Sequence, residues 1–369
     1  MSSTAMLLWV ALLLLALLES ANGANGTRTA DYSRRLTADQ ETNCNDEHHN
    51  HKAVARSVEK AQRMLQSQPS EVPLADRLVV MVLFSKGFVN SAEMKGRLEY
   101  LKCSLLKLKQ NMAKTTVDVF IWTLNSTSVV PVIPSWLTPL DFPRVHVISV
   151  EPETWRIPCG LVDDSKWAVR SHFDVDYYLM GRWRLSFSLD FARAMGYSQH
   201  LQFDDDAMLN APLPYDIVSE FKASNYMMGV FSDHIGEVPQ CTLGLAELTR
   251  YWLSVKGLEP KGALYKHLNP PSMAGLTSNG WDRMYHPGYF IIINLDFWYQ
   301  VEVQDYLTTV FRSGRDVEGR WQEQAVMNMM RLVFIPEPNL WIMKDVDIGH
   351  DRHNRKHFVA WCVNSGVMD

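Results

Sequence analysis

The chain has 369 residues, 47% hydrophobic and 21% charged, which is enough for one large α/β domain or two modest ones with a real core. Lysine and arginine number 36 against 41 aspartate and glutamate, a formal net charge of -5. That balance excludes a global basic field able to hold nucleic acid or an anionic membrane, so any anion-binding site has to be local.

The first element is an apolar run over residues 6–18, followed by Glu19, Ser20 and the small stretch Ala21, Asn22, Gly23. The run is shorter than the roughly 20 apolar residues of a membrane span and has no basic residue before it, which favours a cleaved signal peptide over residues 1–23. An uncleaved signal-anchor, and with it a membrane tether, is the alternative, and either one sends the rest of the chain into the secretory lumen. Sequons at Asn25 and Asn125 agree with that compartment. Cys44, Cys103, Cys159, Cys241 and Cys362 are scattered with no C-x-x-C pair. This argues against structural zinc and suits one or two disulfides with a leftover thiol. Residues 24–75 are polar, with one short helical pattern over 53–65, and read as a stem or linker. His48, His49 and His51 belong to that solvated tract, since nothing around them fixes a metal geometry.

From 76 to 369 the pattern is that of a single domain. A β-branched apolar run over 78–84, a helical stretch over 92–112 and a second apolar run over 117–124 predict a βαβ unit and hence a parallel sheet. Residues 145–150 add another short strand. Over 177–196, Trp183, Phe187, Phe191 and Met195 recur at helical spacing and predict a helix packed on the sheet. The short strand 199–203 then runs straight into Asp204, Asp205 and Asp206. Downstream, 289–295 reads as a strand, 322–333 as a helix and 341–348 as a late strand.

Ligands of open parallel sheets bind beyond the carboxyl ends of the strands, which is where the acidic triplet falls. Three adjacent carboxylates are costly to hold together unless a cation or basic partners compensate them. A solvated acidic turn is the plain alternative, and position at the ligand-binding edge favours the functional one. Asp204 and Asp206 offer hard oxygen ligands to Mn2+ or Mg2+, an ion able to bridge the phosphates of a nucleotide sugar and offset charge on the departing diphosphate. Asp205 points elsewhere, to orient a ligand or hydrogen-bond the sugar.

The segment Tyr177-Tyr178-Leu179-Met180-Gly181-Arg182-Trp183, the strand ending in Asp204-Asp205-Asp206 and the stretch 209–218 resemble the YRxMCRF, EPD and CDIxYD segments of glycosyltransferase family 15. Those are the fungal α-1,2-mannosyltransferases of the Golgi. Leu295-Asp296-Phe297-Trp298 resembles that family's LDFF, the segment 319–326 its ERWGDAPV, and Asp347-Ile348-Gly349-His350 its DIGY. Order and spacing agree over roughly residues 78–362, a distant but extended likeness.

The resemblance implies an α/β fold of the GT-A type, a Rossmann-like, mostly parallel sheet with flanking helices. It implies a retaining, metal-dependent transfer of mannose from GDP-mannose to a glycan or glycoprotein in the Golgi lumen, with Mn2+ or Mg2+ as cofactor. Carried over by position, Asp204 stands for the Glu of EPD as metal ligand, Arg182 for an arginine near the donor phosphates, and Glu323 for the Asp of the RWGDAP segment. The family's late histidine ligand falls where this chain has Arg352, flanked by His350 and His353, so one of those two completes the metal site. The family carboxylate of the SNFEI strand, discussed as a nucleophile, matches Ile291, which leaves a front-face route, altered chemistry or lost activity.

Plainer roles stand beside these. Glu323 could favour a helix dipole, Arg182 could pair with Asp174 or Asp176, His350 and His353 could join a surface ion cluster, and Trp183, Trp281 and Trp321 could be core or sugar platforms. Three rival functions are a phosphatase of the haloacid-dehalogenase type, disfavoured because its aspartates belong at the first strand, a non-catalytic sugar- or metal-binding module, and a GT-A enzyme using another donor.

Overall fold

The structure, a computed structural model, describes residues 51–84, 91–124, 144–158, 160–161, 175–231, 235–268 and 281–350, with side chains left aside for 91–96. The apolar N-terminal run, both sequons, His48, His49, Asp174, Arg352 and His353 lie outside the described residues. Among those described, no helix is long and apolar enough to cross a membrane.

The helical pattern within the polar stretch is helix α1 (His51–Gln66), which buries Ala53, Val54, Ser57 and Ala61. Lys60 Nζ and Arg56 Nε hold Glu151 at 2.7 and 3.0 Å, so this helix is fastened to the domain that follows. Next come β1 (Leu78–Phe84), α2 (Ser91–Asn111), β2 (Val117–Thr123) and β3 (Val145–Ser149), the expected βαβ unit with one further strand. Every residue of β1 and β2 is buried, as expected for apolar runs covered on both faces.

The single helix expected over 177–196 is two, α3 (Val175–Leu185) and α4 (Phe187–Met195). Ser186 breaks it at φ -124°, ψ -86°. Its hydroxyl donates to the Arg182 carbonyl at 2.8 Å and that of Ser188 to the Arg184 carbonyl at 2.9 Å, serine contacts of the kind that bend helices. Gly196, left-handed at φ 95°, ends α4 and turns the chain into β4 (Gln199–Phe203). After β4 come β5 (Ala207–Leu209), α5 (Ile217–Ser224), β6 (Met228–Phe231), β7 (Ile235–Gly236), α6 (Leu245–Lys256), β8 (Met284–Tyr285) and β9 (Phe290–Asn294). The Asn294 side chain accepts from the amides of Asp296 and Phe297, so the strand stops there and Leu295–Trp298 is a single helical turn. Helices α7 (Val301–Arg312) and α8 (Glu323–Phe334) follow. The late strand is also two pieces, β10 (Leu340–Met343) and β11 (Ile348–His350), because they join different sheets.

The main sheet has seven strands in the order β10-β6-β9-β4-β1-β2-β3. All neighbours are parallel except β9, antiparallel to both β4 and β6. One core packs α1, α3, α4, α6, α7 and α8 on one face, and a second packs α2 and α5 on the other. A small antiparallel pair, β5 with β11, sits beyond the carboxyl end of β4 and sets His350 opposite Ala207. Cys103 is disulfide-bonded, and Cys241 is a buried free thiol.

Candidate metal centre

The acidic triplet occupies the turn between β4 and β5, closed by a hydrogen bond from the Ala207 amide to the Asp204 carbonyl at 3.1 Å. β4 lies between β1 and β9, so the turn emerges at the middle of the sheet. The β5–β11 register then brings in the late histidine. His350 Nε2 lies 3.1 Å from Asp206 Oδ1 and 3.5 Å from Asp204 Oδ2, and its ring stacks on Tyr289 with centroids 4.6 Å apart. One donor atom from each of Asp204, Asp206 and His350 lies within 4.8 Å of the others. Asp204, Asp206 and His350, one of the two histidines offered for the site, thus converge from distant parts of the chain, while His353, the other, lies outside the described residues.

Two arginines frame the centre. Arg184, buried in α3, donates to Asp204 Oδ1 at 2.5 Å and to Glu323 Oε1 at 2.8 Å. Arg97, from α2, donates to Asp206 Oδ2 at 2.9 Å and makes a short contact to Asp205 Oδ1. Gln202 donates to the Gly288 carbonyl at 2.5 Å and lies 3.4 Å from Glu323 Oε1. The close approach of α3 to the start of α8 depends on Gly181, where a Cβ would stand 3.2 Å from both Gln322 Cα and Glu323 Oε2. Gly181 and Arg184 share a helix face at spacing i, i+3, so the glycine opens the gap that the arginine bridges.

Burial alone would raise the Asp204 carboxyl, but Arg184 and His350 outweigh it and hold the group well below the usual carboxylate range. Asp206 is likewise held low by His350 and Arg97 against its burial. Burial, with the neighbouring Asp206 and Asp204 charges, pushes Asp205 up to about 7 in spite of Arg97. Burial pushes the His350 imidazole down, but hydrogen bonds to Asp204 and Asp206 more than offset it and carry it up to about 10.

Other expected residues stand elsewhere. Arg182 is not in the centre: it pairs with Asp316 at 3.1 Å and lies over the Phe311 ring at 4.7 Å. Residues two apart on a helix are rotated by about 200°, so Arg182 and Arg184 face opposite ways and only one can reach the triplet. Asp176 accepts from Trp155 Nε1 at 2.8 Å instead. Ile291, fully buried, pairs with Gln202 in the sheet, and no carboxylate stands at that position. Trp183, Trp281 and Trp321 are core residues, none more than 2% exposed. Sequence reasoning missed Arg97, Arg184 and Gln202. The spacing Gly181-x-x-Arg184 was the available signal for Arg184, while Arg97 carries none on an otherwise ordinary crossover helix.

No protein-family model matches the sequence, and no curated protein matches it significantly. Among solved structures, the chain is similar to core-mannan synthase A (CmsA/Ktr4) from Aspergillus fumigatus in its Mn/GDP form, at TM-score 0.65 and 14% identity over 77% of this chain and 76% of that one. It is also similar to the mannosyltransferase Ktr4p from S. cerevisiae, at TM-score 0.62 and 14% identity over 80% of each chain, and to the same enzyme in complex with GDP at TM-score 0.57. At that identity the likeness is one of fold, and it falls on fungal mannosyltransferases, the group to which the sequence motifs pointed. The chain has the GT-A fold: a mixed α/β domain on a mostly parallel seven-stranded sheet, with its acidic triplet at the carboxyl end of β4.

Proposed function

We propose that the chain is a metal-dependent glycosyltransferase of the secretory pathway. It takes a hexose from a nucleotide-diphosphate sugar, GDP-mannose by likeness to its structural neighbours, and transfers it to a glycan or glycoprotein. The observation that carries this reading is the convergence of Asp204, Asp206 and His350 in a fold shared with an enzyme solved with Mn and GDP.

The donor set fits a divalent ion. Two carboxylate oxygens and an imidazole nitrogen suit Mn2+, and Mg2+ less well because of the nitrogen. Asp204, Asp205, Asp206 and Glu323 face Arg97 and Arg184, and the proton that His350 holds between Asp204 and Asp206 stands where a divalent ion would stand once the imidazole is neutral and free to act as a ligand. When bound, such an ion supplies Lewis-acid stabilisation of a departing diphosphate. The chain's own residues hold the arrangement. Arg184 locks Asp204 against Glu323, Arg97 fixes Asp205 and Asp206, and Gln202 steadies Glu323 from the strand side. Glu323 and Asp205 act here by positioning, since both are buried and engaged by arginines. Ile291 cannot attack an anomeric carbon, so the transfer retains configuration by a front-face route with no covalent intermediate at that strand.

The test is a panel of nucleotide sugars offered to the purified protein with and without Mn2+. Metal-dependent donor hydrolysis or transfer that favours GDP-mannose, lost in Asp206→Asn, supports the reading. Metal and nucleotide binding with no turnover of any donor would leave a non-catalytic module, and turnover of another donor would correct the sugar.

A further inference from the structure

Strand β5 pairs with β11 along one edge, and among the described residues no strand pairs with its other edge. The register sets Ala207 opposite His350 and Leu209 opposite Ile348, and the Asn210 amide donates to the Asp347 carbonyl at 2.8 Å. Backbone groups of successive strand residues point to alternate sides, so Met208 and Asn210 face β11 while Ala207 and Leu209 turn their carbonyls away from it. Both residues are buried, and a buried carbonyl without a donor is costly.

Helix α2 supplies the donors. Ser104 and Asn111 are buried and stand seven residues apart, a step that returns to nearly the same line of the helix, about 20° off. Ser104 Oγ makes a short hydrogen bond to the Ala207 carbonyl and lies 3.3 Å from that of Asp205. Asn111 Nδ2 donates to the Leu209 carbonyl at 2.6 Å, and the Asn111 carbonyl accepts from the Leu213 amide at 2.8 Å. Arg97, seven residues before Ser104, takes the Asp205 and Asp206 carboxylates. One line of α2 therefore holds the acidic turn and both ends of β5.

We propose that Ser104 and Asn111 are positioning residues of the metal centre, a role that rests on the metal-dependent reading above. They fix β5 in the one register that brings together Asp206, just before the strand, and His350 on its partner strand. Carbonyls facing α2 recur at every second residue, so a one-residue slip of β5 leaves both donors without an acceptor. A slip of two residues moves the acidic turn by about 7 Å, more than the 4.8 Å within which the three ligand atoms gather. Without the two side chains the strand keeps only β11 as its guide, and the ligands converge for a smaller share of the time.

The experiment measures Mn2+ affinity of the full chain by calorimetry, at a temperature where circular dichroism shows each variant folded, and records the visible absorption of the Co2+ form. Ser104→Ala with Asn111→Leu should weaken Mn2+ binding at least tenfold, the low end of what loss of outer-shell partners costs, and each alone about threefold. The Co2+ absorption should change in the double variant. Leu105→Ala, a larger packing loss on the same helix about 100° round from Ser104, should keep Mn2+ affinity within about twofold and the Co2+ spectrum unchanged. Ser104→Ala deletes a single oxygen and serves if the double variant does not fold. Wild-type affinity in Ser104→Ala, or a loss in Leu105→Ala as large as that in the double variant, overturns the proposal. A wild-type chain that binds neither Mn2+ nor Co2+ overturns the metal-dependent reading itself, together with this role.

Discussion

Replacing Arg184 with methionine strips the partner from two carboxylates at once. The Glu323 side chain is 4% exposed and that of Asp204 22%, so Glu323 is left as a buried charge while Asp204 is partly relieved by water. Breaking one side of a buried ion pair costs about 3–5 kcal/mol, and because Asp204 is partly solvated the lower half of that range is expected. Adding Glu323→Gln to Arg184→Met removes the orphaned charge and leaves only an imperfectly bonded amide. The double variant should therefore recover about 1–2 kcal/mol relative to the single one. Urea unfolding followed by tryptophan fluorescence reads both values, since the chain carries 12 tryptophans and those next to α3 are buried. A cost below about 1 kcal/mol for Arg184→Met, or a double variant less stable than the single one, would refute the view that this arginine is the clamp joining α3, α8 and the acidic turn.

The other expectations can be stated briefly. At a Mn2+ concentration 100 times its Kd the wild type should gain about 2.7 kcal/mol of stability, and Asp206→Asn or His350→Ala should lose most of that gain in the same thermal-shift titration. Gly181→Val should cost about 1–3 kcal/mol and depress any transferase activity, because its Cβ would press on Gln322 and Glu323; unchanged unfolding would show that the gap can widen freely. His200 is buried and burial, with Arg184 nearby, lowers its pKa to about 3, so the folded chain keeps it neutral while the unfolded chain protonates it below about 6.5. Stability is then fully present above pH 6.5 and falls by up to about 1.4 kcal/mol per pH unit as pH drops from there toward 3, and His200→Leu should flatten that slope in acid-unfolding curves.

Much of the fold was legible because its strands are apolar on both faces. In β1 and β2 every residue is buried and most are apolar, so a hydrophobic run bounded by a helix could be read without knowing what covers it, whereas β4, also buried, carries Gln199, His200 and Gln202 and was legible mainly from its place before the acidic triplet. The boundaries that failed did so for local polar reasons. Ser186 and Ser188 bond back to carbonyls and split a helix whose aromatic spacing continues unbroken, and Asn294 caps a turn that ends β9 one residue earlier than its apolar run suggests. Apolar periodicity reports the face an element presents to the core, and it is silent about hydrogen bonds that side chains make with their own backbone.

The site divides in the same way. Asp204 and Asp206 could be named as an acidic pair at a strand end, and His350 only together with His353 from the family likeness, because a group able to hold a metal needs particular atoms. The residues that hold them could not be named by type, since an arginine on an amphipathic helix looks alike whether it faces solvent or a carboxylate. Arg182 and Arg184 differ by two positions, and a motif likeness selects the first, yet the rotation of the helix and the gap left by Gly181 give the second to Asp204 and Glu323. Arg182 instead closes on Asp316, a carboxylate on the one-turn helix Arg315–Glu318. Helix phase, which a tertiary contact fixes, therefore decides between two chemically identical neighbours, and a Gly-x-x-Arg spacing on a buried helix is the sequence trace of that choice.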